Sequence, residues 1–310
     1  MRSIAVRWFV PLLTASLVLG ACQAGATPGP NGNPPSGSPP STSPPTDVPG
    51  IAHPTGSADL LLRIESGGGF INPSALFGQL PTLSVFGDGR VVVAGPQIEV
   101  FPPPALPNFV SYRISEEGVQ KLLENAQAVG LLGPDAHYDS IGIADAPTTT
   151  FTVVAGGQRH TISAYALSEG GPNDTQLTPE VRRARAALFA FEQRASDLRA
   201  WLGSAIVEPE SPYRFEALRI FATPAQPDAQ GGVAPGFADW PLATPVAAFG
   251  APLANVPETR CGVISDGDLD TLRPALDKAN QATFWRSGGA TFQLTLRPLL
   301  PDESGCPSLP

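Results

Sequence analysis

Between Ala24 and Ser57 the chain is built almost wholly from Pro, Gly, Ser, Thr and Asn, as in Asn33-Pro34-Pro35-Ser36-Gly37-Ser38-Pro39-Pro40. Within it Asp47 is the only charged residue, and Val48 and Ile51 are the only large aliphatics. Such a stretch has too little apolar surface to offset the entropy of ordering its backbone, so it forms no core. Whatever folds must therefore fold from the roughly 250 residues that follow, enough for one large or two small domains. Proline biases the stretch toward an extended path of ~3.1 Å per residue, a spacer reaching up to ~100 Å.

The chain carries a net charge of −9, with 42% hydrophobic and 15% charged residues. A body of this composition can bury a core. Its acidity excludes the basic footprint that nucleic-acid binding needs, and it disfavours electrostatic docking on anionic lipid.

Turn chemistry organises the body. Leu83 and Val85 alternate before Asp88-Gly89, and Val91 and Val93 after it, which predicts a hairpin preceded by a strand at Leu60 to Ile64. Tyr112 to Ile114 predicts another strand. It runs into Ser115, a helix N-cap followed by Glu116 and Glu117 and by the apolar Val119, Leu122, Leu123 and Ala126. A second hairpin is expected on Phe151 and Val153, Gly156-Gly157, then Ile162 and Ala164. Thr178 and Pro179 open the longest helix, predicted to run through Val181, Leu188, Phe191, Ala195, Leu198 and Leu202. Its other face carries Arg182, Arg183, Arg185, Arg194 and Arg199 and, with Glu180, Glu192 and Asp197 on the same helix, reads as solvated.

Further on, Tyr213 to Phe221 reads as a strand. The Pro-, Ala- and Gly-rich stretch at 222–258 is expected to be an ordered excursion anchored by Phe237, Trp240 and Phe249. Val263 to Ser265 then lead into a helix over Asp266 to Ala282, with Pro274 inside it, and a hairpin around Ser287-Gly288-Gly289. Strand, helix and hairpin thus occur at 110–166 and again at 261–300, which suggests a repeated unit. The predicted class is α+β, with antiparallel hairpins and two or three packed helices. The expected divisions are a leader at 1–21, the spacer at 22–58, one α+β domain at 59–206 and a second domain or subdomain at 207–310.

Catalytic signatures are missing: there is no Gly-x-Ser-x-Gly, Ser-x-x-Lys, His-Glu-x-x-His, phosphate loop or dinucleotide fingerprint. Asp135, His137 and Asp139 alternate, so an extended segment would turn all three to one side, as a metal or acid–base site could use. Asp266, Asp268, Asp270 and Asp277 imitate the spacing of a calcium loop. Thr271 stands where that loop needs glycine, and the acids fit a first helical turn better. No cofactor or metal is expected.

The N-terminus has the layout of an export signal. Arg2 and Arg7 precede an apolar run from Trp8 to Leu19 that is too short to span a ~30 Å hydrocarbon core. It ends in Leu19-Gly20-Ala21-Cys22, which resembles the lipobox of bacterial lipoproteins. In that family the cysteine receives a diacylglycerol and signal peptidase II cuts just before it. The resemblance implies cleavage after Ala21, acyl chains on Cys22, and a protein held by lipid to the extracytoplasmic face of a membrane. Outside the cytoplasm, the remaining Cys261 and Cys306 are expected to pair, closing a loop worth ~4 kcal/mol in the chain-entropy view. Gly87-Asp88-Gly89-Arg90-Val91, Ser115 and Gly156-Gly157 also resemble the turn pattern of uncharacterised domains in bacterial lipoproteins and secreted proteins. The expected function is a binding or interaction module of the cell envelope, meeting an unknown envelope ligand or protein. The alternative is an envelope hydrolase or metal-dependent enzyme working through Asp135, His137 and Asp139.

Overall fold

The computed structural model describes residues 50–70, 73–169, 176–227 and 234–307. Pro49–Pro310 forms one compact unit of the α+β class, with two sheets and five α-helices among the described residues. Among the described residues no helix is long and apolar enough to cross a membrane.

The larger sheet contains β1 (Leu60–Gly67), β2 (Leu83–Phe86), β3 (Arg90–Ala94), β4 (Phe109–Ile114), β5 (Ala136–Tyr138), β6 (Thr148–Ala155), β7 (Gln158–Tyr165) and β8 (Ile206–Pro212). Their order is β5-β7-β6-β1-β2-β3-β4-β8. The smaller sheet contains β9 (Ala217–Pro224), β10 (Gly236–Asp239), β11 (Ala251–Pro252), β12 (Arg260–Ser265), β13 (Thr283–Ser287) and β14 (Ala290–Pro298), in the order β10-β13-β14-β9-β12-β11. The helices are α1 (Pro73–Gly78), α2 (Glu116–Ala128), α3 (Pro179–Ser196), α4 (Leu198–Leu202) and α5 (Asp266–Leu276).

Local chemistry explains the hairpins. Gly89 sits at φ +80°, where a Cβ would lie 2.3 Å from the carbonyl oxygen of Ile114, so only glycine closes the β2–β3 turn. Gly156 and Gly157 both take positive φ, as the two-residue turn between β6 and β7 requires. Ser115 caps α2 by accepting from the Gly118 N–H at 3.3 Å. Two short strands, β5 and β10, pair in parallel with β7 and β13 at the sheet margins, where a loop and an excursion were expected.

Two predicted helices are interrupted. The helix from Thr178 to Leu202 breaks at Asp197, whose φ of −126° and ψ of 59° leave the helical region. The Asp197 carboxylate accepts from the Ala200 N–H at 3.1 Å and so caps α4 anew. The second, expected to reach Ala282, stops at Leu276, two residues past Pro274, whose missing N–H leaves the Asp270 carbonyl without its helical donor. Its opening acids sit in the first turn, where the helix dipole favours them.

The helices α2, α3 and α4 cover one face of the larger sheet in a core that includes Leu62, Ile64, Val85, Val91, Leu122, Phe151, Phe191 and Leu198. Ile51 and its surroundings join this body. The Ile51 N–H donates to Gln120 Oε1 at 2.7 Å, and His53 Nε2 lies 3.0 Å from Glu116 Oε1 on α2. A second core under α5 gathers Leu218, Ile220, Leu269, Leu272, Trp240, Phe249 and Trp285. Of the three aromatics expected to anchor the excursion, Trp240 and Phe249 are buried, whereas Phe237 is 44% exposed beneath the Arg286 guanidinium, 4.2 Å from its ring centre.

The remaining faces of the two sheets meet across the last described residues. Phe77 on α1 stacks on Phe221 on β9 with ring centres 4.5 Å apart. Leu300 packs with Leu60, Phe86 and Val92, and the Tyr213 hydroxyl donates to the Leu299 carbonyl at 3.0 Å. Arg63, Arg219 and Arg297 are all buried here. Arg63 reaches Asp302 at 2.7 Å, and Arg297 makes a two-pronged pair with Glu303 at 2.6 and 2.7 Å. Arg219 donates to the Gly305 and Ser304 carbonyls. Burial pushes the Glu303 carboxyl up, but the Arg297 hydrogen bond and charge, the Leu300 N–H and Arg63 outweigh it and leave it below the usual glutamate value. The Cys261–Cys306 disulfide, with Cα atoms 6.0 Å apart, ties the end of this tail to β12.

Candidate functional site

The lipobox residues Leu19, Gly20, Ala21 and Cys22 lie outside the described residues. Among the described residues Cys261 and Cys306 are both consumed by their disulfide.

The alternating triplet is only partly brought together. Asp135 precedes β5 and its Oδ1 accepts from the Thr161 N–H on β7 at 2.8 Å, so it serves the pairing of the two strands. His137 lies opposite Ser163, with Nδ1 2.7 Å from the Ser163 hydroxyl and Nε2 2.9 Å from Asp139 Oδ1. The His137 and Asp139 side chains are 51% and 78% exposed at the sheet margin. Among the described residues no group of three His, Cys, Asp or Glu is placed to hold a metal ion. The serine–histidine–aspartate chain has the right atom types for acid–base work, but nothing encloses it, and water competes for each of its bonds.

Two charged residues of the helix read as solvated are drawn inward, Arg185 buried and Glu192 half-buried. Arg185 is 4% exposed and donates to the carbonyls of Tyr138, Tyr165 and Ala166 at 3.1, 2.9 and 2.8 Å. It lies four residues after Val181 and three before Leu188, within the apolar stripe of α3, and buried carbonyls of the β5 and β7 ends satisfy its donors. Glu192 occupies the same stripe, between Leu188 and Ala195. Its periodic position was the available signal, and its charge argued the other way.

Glu192 borders a cavity in which apolar and charged side chains converge. This groove of about 450 Å³ opens where the α3–α4 junction overhangs the larger sheet. Its floor is Ile64 on β1, Leu83 on β2, Val93 on β3 and Tyr112 on β4. Its wall is the run from Glu192 to Arg199, including Ser196 and Asp197, and Glu210 on β8 closes the far rim. The volume falls within the usual range for small-molecule sites.

The polar groups of the groove are unevenly matched. Arg199 pairs with Glu210 at 2.9 Å and lies 5.9 Å above the Tyr112 ring. Burial pushes the Tyr112 phenol up to about 12, with Arg199 lowering it and Glu210 and Asp197 raising it, so the phenol stays neutral at physiological pH. Glu192 has one oxygen 3.4 Å from the Thr149 hydroxyl, while its Oε2 is shut off from water with no hydrogen-bond partner. Burial pushes the Glu192 carboxyl up; the Thr149 hydrogen bond opposes this and the charge of Glu169 adds to it.

Comparison with protein-family models, with curated proteins and with solved structures finds no match.

Proposed function

We propose that the protein is a lipid-anchored binding module of the cell envelope, facing the extracytoplasmic side, with the groove beneath the α3–α4 junction as its ligand site. The observation that carries the anchored reading is the Leu19-Gly20-Ala21-Cys22 motif behind a short apolar run and ahead of a proline-rich spacer. The Cys261–Cys306 bond supports it, since it suits an oxidising compartment and leaves Cys22 as the one cysteine outside a disulfide. Two or more acyl chains at ~0.8 kcal/mol per buried methylene would hold the chain stably, where one would not.

The hydrolase alternative depends on Asp135, His137 and Asp139. With Asp135 bonded to a strand amide and His137 open to solvent, those residues offer no enclosed place for a substrate, so binding is the better-supported reading. Intact-mass measurement on protein from the native membrane tests the anchor. The expected species begins at Cys22 and carries acyl mass, and Cys22→Ala moves the protein out of the membrane fraction. A chain with unmodified Cys22, or one cut elsewhere, refutes the proposal.

A further inference from the structure

The loop joining β3 to β4 displays apolar side chains to water and is at the same time held firmly in place. Residues 96–101 are all exposed, and among them Ile98, Val100 and Phe101 are 68%, 50% and 67% exposed. Both arms of the loop are pinned. On the first, the Gly95 N–H donates to the Asn108 carbonyl at 3.0 Å, and Asn108 Nδ2 donates to the Pro96 carbonyl at 2.8 Å. Gln97 Nε2 donates to the Gly95 and Asn108 carbonyls at 2.8 and 3.0 Å. On the second, the Gln281 N–H donates to the Pro103 carbonyl at 2.9 Å, and the Ala105 N–H to the Ala279 carbonyl at 3.1 Å. Pro96, Pro102, Pro103 and Pro104 each fix a φ angle along the way. Ordering a loop costs entropy that buried apolar surface normally offsets, yet here the order keeps that surface out. Such a loop is set before a partner arrives, which removes part of the cost of docking.

Glu99 decides what can cover the loop. It is exposed between Ile98 and Val100 and pairs with no cation among the described residues. A bilayer core would have to accept that charge together with the irregular backbone of 96–101, whose polar groups find no partners in hydrocarbon. A protein cleft can answer the charge with a cation and the backbone with hydrogen bonds. The loop also stands at the end of the larger sheet away from the spacer. The root of the spacer is held at the β2–β3 and β6–β7 turns, where the Gly156 N–H donates to the Ala52 carbonyl and Arg90 to the Ser57 carbonyl, both at 2.7 Å. From that end β3 carries the chain to the loop. This outward direction rests on the anchored reading; the chemistry of the loop does not. We propose that the 96–101 loop docks into a partner protein, whose apolar cleft takes Ile98, Val100 and Phe101 and whose lysine or arginine meets Glu99.

The test places a photoreactive side chain in the full chain, as Phe101→p-benzoylphenylalanine. The control is Val207→p-benzoylphenylalanine, at an exposed position near the other end of the sheet. Intact cells and their medium are irradiated together, so the result does not depend on where the chain is held. A protein adduct is expected from position 101 and not from position 207. With that protein purified, Phe101→Ala should weaken binding about tenfold. Glu99→Lys should slow association and remove its acceleration at low salt. Both variants should melt as the parent does, since the residues they change are exposed. Cys22→Ala, which removes the anchor, should leave the affinity unchanged, so a failure of the anchored reading shows separately. Adducts to phospholipid or to a second copy of the chain, no adduct from position 101, or parental binding by either loop variant overturns the proposal.

Discussion

The two sheets share a plan but differ in cover. Each has a hairpin, β6–β7 or β13–β14, flanked on its outer arm by a short parallel strand, β5 or β10. Each also has a strand that feeds a helix, β4 into α2 and β12 into α5. In the smaller sheet a single strand, β9, separates these parts, and one helix covers the face. In the larger sheet three strands, β1, β2 and β3, stand between them, and α2, α3 and α4 share the cover. The groove floor comes from those three strands and β4. Widening a sheet faster than its helical cover leaves apolar residues at the margin of the core, and there a binding surface can develop without loosening the rest.

The comparison breaks first at the disulfide. It braces only the smaller sheet and the tail, and Cys261→Ser with Cys306→Ser should cost ~4 kcal/mol in chemical denaturation. If the loss is confined to one half, amide exchange will rise over β12 and the tail before it rises over β6 and β7. Next comes the charge cluster between the sheets. Glu303→Gln leaves Arg297 without its carboxylate, while Arg63 keeps Asp302, and should cost about 3 kcal/mol, with part recovered by adding Arg297→Met. The native Glu303 carboxyl is held below its ordinary value of 4.5, so its contribution is complete above that pH and disappears as pH falls through the lower native value. The melting temperature of the parent should therefore converge on that of Glu303→Gln in acid.

Matched serines sharpen the comparison at smaller scale. Ser115 caps α2 through the Gly118 N–H, whereas Ser265, at the same place before α5, turns its hydroxyl to the Asp266 carboxylate. Ser115→Ala should cost about 1 kcal/mol and Ser265→Ala less than about half of that. Smallest is Glu192→Gln in the ligand-free protein, which should stabilise the fold by under about 1 kcal/mol after allowance for its partial exposure. Its native carboxyl is raised, so the parent's contribution is complete below the ordinary value and lost as pH rises through the native one. The variant's advantage should thus grow from acid to neutral pH.

How much of this was legible depended on the range of the determining contacts. Asp88-Gly89, Gly156-Gly157 and Ser115 act on their own neighbours, and the elements around them formed where the turn chemistry put them. The strands β5 and β10 are three and four residues long and exist because a distant hairpin arm offers an edge, which no local pattern records. Arg185 and Glu192 were misjudged because residue type was weighed above helical position, when the stripe of α3 already placed both inward. The ion pair of Arg63 with Asp302 joins residues 239 apart, beyond any periodic signal.

The acidic tail has a consequence for the order in which the protein can be assembled. Synthesis proceeds from the N-terminus, so Asp302 and Glu303 emerge after every strand of both sheets. Until then Arg219 and Arg297 on the smaller sheet oppose one another, and Arg63 on the larger sheet lacks its acids. The larger sheet can fold onto its own helices meanwhile, and the halves can meet through apolar contacts such as Phe77 on Phe221, with the three cations still unanswered. Arrival of the two acids supplies Arg63 and Arg297 with their carboxylates. The join between the sheets is thereby complete only once the chain has been read through to Glu303.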